Sequence, residues 1–164
     1  MAGNSQSIVY WKDRVMMELQ NDAEIVSALN LNADEDAEDL VGVRLFPYHF
    51  IPDTEEVVKT YILVEISIPE QRYDRGSTLF SKPTIAFTVL AHKDDMLMKE
   101  SGQGAVRTDY ITMLLDKKYN DNGGFGFKQL KFLYNEVTST SSMKYRARTI
   151  AFEGVDLDNS ICEG

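Results

Sequence analysis

The side chains best suited to chemistry fall in one short stretch, "AHKDDM", residues 91–96, where His92, Asp94 and Asp95 close an apolar run. An imidazole beside a carboxylate is the composition of a general base with an orienting acid, and strand ends are common places for one. Catalysis asks for more: a nucleophile, a metal or further groups converging on one point. The other histidine, His49, lies in the separate proline-bounded stretch "PYHFIP", and two distant histidines do not specify a metal site. The stretch reads as a polar structural turn. A ligand-binding or catalytic use of His92, Asp94, Asp95 and Arg107 is the competing reading.

Four other groups of residues compete for a role. The acidic run supplies Asp34, Glu35, Asp36, Glu38 and Asp39. It lacks the alternating spacing and the glycine of a calcium loop and has no aromatic or branched residue to bury, so it reads as a solvated loop. "GGFGF", residues 123–127, follows a helical pattern and precedes a strand pattern, the reverse of the order that aims amides at a phosphate. It reads as a helix stop and strand start. Arg146 and Arg148 alternate along "KYRARTIAF". They form either a site for an anion or another subunit's carboxylates, or the solvent face of a strand whose Tyr145 and Ala147 point the other way. The loop "EQRYDRGSTLF" mixes Arg72, Tyr73 and Arg75 with Phe80, a composition typical of protein interfaces. The sequence holds no serine elbow, zinc motif, dinucleotide fingerprint or kinase signature. Binding or assembly therefore ranks above catalysis, and no cofactor is expected.

The elements that must position these residues follow from periodicity. Apolar residues at Val15, Met16, Leu19, Ala23, Val26 and Leu29 predict a helix over 13–29, with Asn21 and Asp22 as a possible break. Strands are predicted over 40–46, 57–68 and 83–92, the last with Ile85, Phe87, Val89 and Ala91 on one face. The second and third form a hairpin with a long tip. A helix over 108–119, capped by Thr108 and Asp109, presents Ile111, Leu114, Leu115 and Lys118 on one face, and two strands over 127–137 and 143–152 follow. The fold class is α+β: a mainly antiparallel sheet of four to five strands, two helices on one face and a long hairpin loop. One domain spans residues 1–164, with 1–9 and 158–164 expected as flexible ends and the last segment as a possible extra edge.

Composition narrows the function classes. With 43% hydrophobic and 26% charged residues, 164 residues suffice for a core without a metal or disulfide staple. Cys162 is the single cysteine, which suits a reducing, intracellular setting, and no signal peptide or membrane span is expected. A net charge of −9 and a pI near 4.7 oppose attraction to phosphates or anionic membranes.

The order of elements, with the phrases "TIAFTVLAHKDDM", "GQGAVRTDYITMLL", "GGFGFKQLKFL" and "YRARTIAFEGVDLDN", resembles neck proteins of tailed bacteriophages, of the tail-terminator or tail-completion (head–tail joining) type. The resemblance runs over about residues 10–160. It implies a non-enzymatic virion protein, assembled in the bacterial host cytoplasm, that forms a six-membered ring on the tail tube. Its partners would be copies of itself, the tail tube protein and a head-side connector or stopper, with DNA only as passing cargo. In that picture the loop 71–82 reaches a neighbouring subunit or an axial partner, Arg146 and Arg148 pair across a subunit joint, and the acidic residues face channel or solvent. His92 and Asp94, with Arg107 and Asp109, hold structural turns. A stopper, adaptor or tube subunit is the near alternative, and a small cytosolic ligand-binding domain the distant one.

Overall fold

The computed structural model describes residues 4–68, 71–73, 79–81, 83–101, 104–122, 129–154 and 156–157, with backbone alone for 4–5, 71–73, 79–81, 101 and 156–157. The chain opens with α1 (Asn4–Gln20), so most of the segment 1–9, expected to be flexible, is helix. Asp22 then breaks the helix and restarts it as α2 (Ala23–Ala28). Its Oδ1 accepts the amides of Glu24 and Ile25, both at 3.1 Å, which supplies partners for two otherwise orphaned N–H groups. The break resets the helical phase. Ile25 and Ala28 become the buried residues of α2, and Ala23, assigned to the apolar stripe from spacing alone, is exposed.

Five strands form the main sheet in the order β1-β2-β5-β7-β6: β1 (Leu45–Phe46), β2 (Thr60–Ser67), β5 (Thr84–His92), β6 (Leu130–Thr138) and β7 (Tyr145–Gly154). Only the β1–β2 pair is parallel, so the sheet is mixed. The fold is α+β, with three helices in place of the two expected. The predicted strand over 40–46 shrinks to two residues for a local reason. Gly42 takes a φ of 82°, and the amides of Val43, Arg44 and Leu45 all turn back onto the Leu40 carbonyl, at 2.8 to 3.0 Å. The hairpin of β2 and β5 forms in register from Thr60↔Ala91 to Ser67↔Thr84. Its long connection carries β3 (Gln71–Tyr73) and β4 (Leu79–Ser81), and β4 pairs in turn with β8 (Asp156–Leu157).

The helices lie on one face. Ile62, Val64, Ile85, Phe87, Val89, Ile150 and Phe152 project from the sheet into a core closed by Trp11, Val15, Leu19 and Ile25. The helix α3 (Arg107–Tyr119) adds Ile111, Leu115 and Tyr119, whose ring stacks on Phe87 at 4.9 Å. Each such fully buried side chain contributes about 1.5–3 kcal/mol. Val106, not Thr108 or Asp109, stands at the N-cap of α3, and it offers no side-chain bond. A second, smaller cluster occupies the opposite face, where Phe46, Tyr61, Leu63, Leu90, Tyr145 and Ala147 pack with Phe50. The β1–β2 connection runs beneath that face. Both faces of the central strands are thus covered, which explains their nearly continuous burial.

Candidate functional site

His92 ends β5 and is buried to 2% exposure. Its Nδ1 accepts the Asp94 amide at 3.1 Å, capping a single 3-10 turn (Lys93–Asp95). With Nδ1 acting as acceptor, the ring proton sits on Nε2, which donates to the Glu55 carbonyl at 3.0 Å. The imidazole also meets the Tyr145 ring edge-on at 5.2 Å. Both nitrogens are therefore occupied by structural bonds. Glu55 extends the joint: its carboxylate accepts the Ser142 hydroxyl at 2.6 Å and the Met143 amide at 3.0 Å, and these bonds hold its titration below the usual carboxylate range. The Tyr145 hydroxyl donates to the Val57 carbonyl. The "AHKDDM" stretch is thus a clasp that fastens the β1–β2 connection to the ends of β5 and β7. His92→Ala removes the clasp, and we expect a loss of about 1–3 kcal/mol in urea denaturation. Unchanged stability would refute this role.

Asp95 turns inward from the same stretch. It accepts the Thr60 hydroxyl at 2.6 Å on one oxygen and the Asn30 amide at 3.0 Å on the other. Arg107, 1% exposed, lies alongside it and donates to the carbonyls of Asp95 and Ala28, both at 2.7 Å, while pairing with Glu100 at 2.7 Å. Arg44, fully buried, does the equivalent work one residue on, donating to the carbonyls of Leu29 at 3.1 Å and Thr60 at 3.0 Å. Two guanidinium groups thus take successive carbonyls at the C-terminal end of α2, the end where the helix dipole and unpaired acceptors favour cations.

The acidic run divides here. Asp34, Asp36, Glu38 and Asp39 are exposed, as expected of a solvated loop. Glu35 departs from it: its side chain is 6% exposed and grips Arg44 through two bonds of 2.6 Å, with Lys59 at 3.6 Å. A bidentate fork of this kind is among the stronger ion pairs. It lowers the Glu35 carboxyl from 4.5 to about 2. The unfolded carboxyl takes up its proton near pH 4.5 and the folded one only near 2, so the stability from this pair is complete above pH 4.5 and is lost as pH falls through about 2. The urea midpoint should drop across that window, and Glu35→Gln should flatten the slope there. An unaltered slope in the variant would contradict the assignment.

The two candidate arginines of β7 part company. Arg148 lies on the helix-covered face and is committed within the chain, to Asp109 of α3 at 2.8 Å and Asn135 of β6 at 3.1 Å. Because α3 packs over this end of β7, the strand face that carries Arg148 is not the plain solvent face that one reading of the sequence expected. Arg146 remains exposed, held by the carbonyls of Met143 and Tyr145, each at 3.0 Å. Of the loop candidates, Arg75 lies outside the described residues, and Arg72, Tyr73 and Phe80 are placed by backbone alone in β3 and β4. The "GGFGF" stretch and residues 158–164 also lie outside the described residues; the left-handed turn seen after α3 is at Asp121. His49 is exposed on another part of the surface, its amide bonded to Glu65.

Sequence reasoning did not single out Arg44, Thr60, Glu55 or Tyr145. One signal was available: an arginine inside the apolar run "LVGVRLF" must find a buried partner if that run is core. Among the described residues, no three His, Cys, Asp or Glu side chains gather so as to hold a metal ion, and no helix is long and apolar enough to cross a membrane. Among the described residues, the edge strand β6 carries a run of exposed apolar side chains: Phe132, Leu133, Tyr134 and Val137 are 39% to 72% exposed.

A family model described as YomW matches residues 22–153, from the cap of α2 to the penultimate residue of β7 and so more than half of the chain. The chain belongs to the YomW family. The matched span contains the whole five-stranded sheet apart from the last residue of β7, together with α2, α3 and both buried arginines; α1 and β8 lie outside it. The family's name comes from a Bacillus prophage region, which is consistent with a phage protein. A search of curated proteins found no match.

Proposed function

We propose that this YomW-family chain is a structural subunit of a tailed-phage particle, a tail-terminator protein that assembles into a homo-oligomeric ring, caps the tail tube and joins it to the head-side connector. The observation that carries the reading is the apolar edge of β6, exposed among the described residues, on a chain whose family name is of phage type. Long apolar edge strands on a free surface are templates for association, and native proteins otherwise blunt them. The chemistry that a catalytic reading would need supports assembly as well: His92 and Asp95 spend their polar atoms on structural bonds. On this reading the protein is non-enzymatic, resides in the virion tail or neck and is assembled in the host cytoplasm. Its surplus of negative charge leaves DNA as a passing cargo.

The experiment is light scattering and negative-stain imaging of the purified protein, alone and with assembling tail tubes. Closed rings, and tubes whose growth stops with a ring at one end, are the expected result. Unlimited self-polymerisation would move the reading to a tube subunit. A protein that forms no ring and leaves tube growth unaltered would overturn it.

A further inference from the structure

We infer that residues 47–59, the β1–β2 connection, form an acid-released strap: protonation of Glu55 frees them from the sheet as a unit and bares the aromatic cluster beneath. This concerns the single subunit, whether or not it joins a ring. The segment contains neither helix nor strand, and Pro52 is its one buried residue. Side chains fasten it instead of a backbone ladder. The Glu65 carboxylate accepts the His49 amide at 3.0 Å, and the Tyr145 hydroxyl donates to the Val57 carbonyl. Between these, Glu55 is held twice: its carbonyl by His92 Nε2 at 3.0 Å, and its carboxylate by the Ser142 hydroxyl and the Met143 amide. Ser142 Oγ itself accepts the amides of Lys144 and Tyr145, each at 3.2 Å, so its one proton is committed to Glu55.

The Glu55 carboxylate is the fastening that acid weakens. Its partners are neutral donors, and a bond to an ionised acceptor is roughly twice as strong as one to a neutral acceptor. These bonds hold Glu55 below the usual carboxylate range, so their contribution is complete above pH 4.5 and is lost as pH falls through the lower folded value. The charged groups around it are Lys144 on the β6–β7 turn and His92 at the end of β5, both favouring the carboxylate, with Asp53 and Glu56 near it in the strap. His92 is not the trigger. An imidazole that gains a second proton keeps its Nε2–H bond to the Glu55 carbonyl, and the Asp94 carboxylate faces its other nitrogen at 3.7 Å. The helix side of the sheet yields later, because Glu35 has a buried guanidinium for a partner and stays ionised down to about 2. Under the strap lie Phe46, Tyr61, Leu90 and Tyr145, with Phe50 of the strap stacked on Phe46 at 4.3 Å. Trp11, the single tryptophan, belongs to the core on the other face, so the two faces can be followed separately.

The test titrates the full-length protein by amide NMR from neutral pH to about pH 3, with Trp11 emission and the binding of a hydrophobic dye followed in parallel. Signals of residues 47–59, Ser142 and Met143 should shift or broaden together below pH 4.5 as dye binding rises, while Trp11 and the central amides of β5 stay native. Glu55→Gln loosens the strap without acid: its strap amides should exchange roughly fivefold faster than wild type at neutral pH, the gap between a charged and a neutral acceptor. The acid response of the strap should then be absent. Glu56→Gln, one residue on, should titrate as wild type. A single transition shared by the strap and Trp11, or a strap unmoved down to about pH 3, overturns the inference. So does an acid response that survives in Glu55→Gln or is equally lost in Glu56→Gln.

Discussion

Arg44→Met should cost about 3–5 kcal/mol of folding stability, the usual effect of removing one partner from a buried ion pair. The substitution keeps an unbranched apolar stem of similar length, so packing around the stem survives. What is lost is the fork on Glu35 and the bonds to the Leu29 and Thr60 carbonyls. Glu35 is then left at 6% exposure with Lys59, at 3.6 Å, as its remaining cation. Against a typical total of about 5–15 kcal/mol, a loss of this size puts much of the chain near its unfolding midpoint. Urea denaturation checks it, and Arg44→Lys should restore only part of the stability because an ammonium cannot reproduce the planar fork. Full recovery with lysine would show that charge alone, and not the fork, matters at this position.

Arg107→Met should be comparably severe, about 3–5 kcal/mol, by the same physics acting on different elements. Arg107 begins α3, yet its guanidinium joins the α2 carboxyl end, the 93–95 turn and Glu100. Without it the Ala28 and Asp95 carbonyls lose a buried donor, and the Asp95 carboxylate, 7% exposed, keeps only neutral partners in Thr60 and Asn30. The two arginines share the α2 terminus, and Thr60 touches both networks: its hydroxyl serves Asp95 and its carbonyl serves Arg44. The double variant should accordingly depart from the sum of the singles. Strict additivity in a double-mutant cycle would show two independent anchors instead of one network.

Both predictions concern anchoring, and anchoring is what the "AHKDDM" stretch supplies. His92 clasps the β1–β2 connection while Asp95, three residues on, ties β2 to the polar network under α2. Placing titratable groups at a strand end is compatible with catalysis, but here their polar atoms are consumed by neighbouring backbone and hydroxyl groups. Asp94, whose side chain is 65% exposed, keeps a looser contact of 3.7 Å to the imidazole. These residues hold the end of the sheet, and the assembly reading looks instead to its edges.

How much of this was legible in the chain depends on how local each determinant is. The alternation of Ile85, Phe87, Val89 and Ala91, the helical stripe of Ile111, Leu114 and Leu115, and the Asn21–Asp22 break were all readable, because periodicity and capping act within a few residues. They suffice for the α+β class and for the β2–β5 hairpin. The shortening of β1 needed the Gly42 turn, a backbone choice that the β-like composition of "LVGVRLF" concealed. The ion-pair and cross-element partners of Glu35, His92, Asp95 and Arg107 lie well outside any local window, from nine residues away for Glu35 and Arg44 to 79 for Arg107 and Ala28. No spacing rule reaches that far. Strand order is the plainest case. "LKFLYNEV" reads like any core strand, but β7 inserts between β5 and β6 and leaves β6 at the rim with its aromatic side chains in solvent. Which residues are strands was written locally in the sequence; which strand is an edge was decided by tertiary pairing, because an edge is defined by the neighbour that is missing.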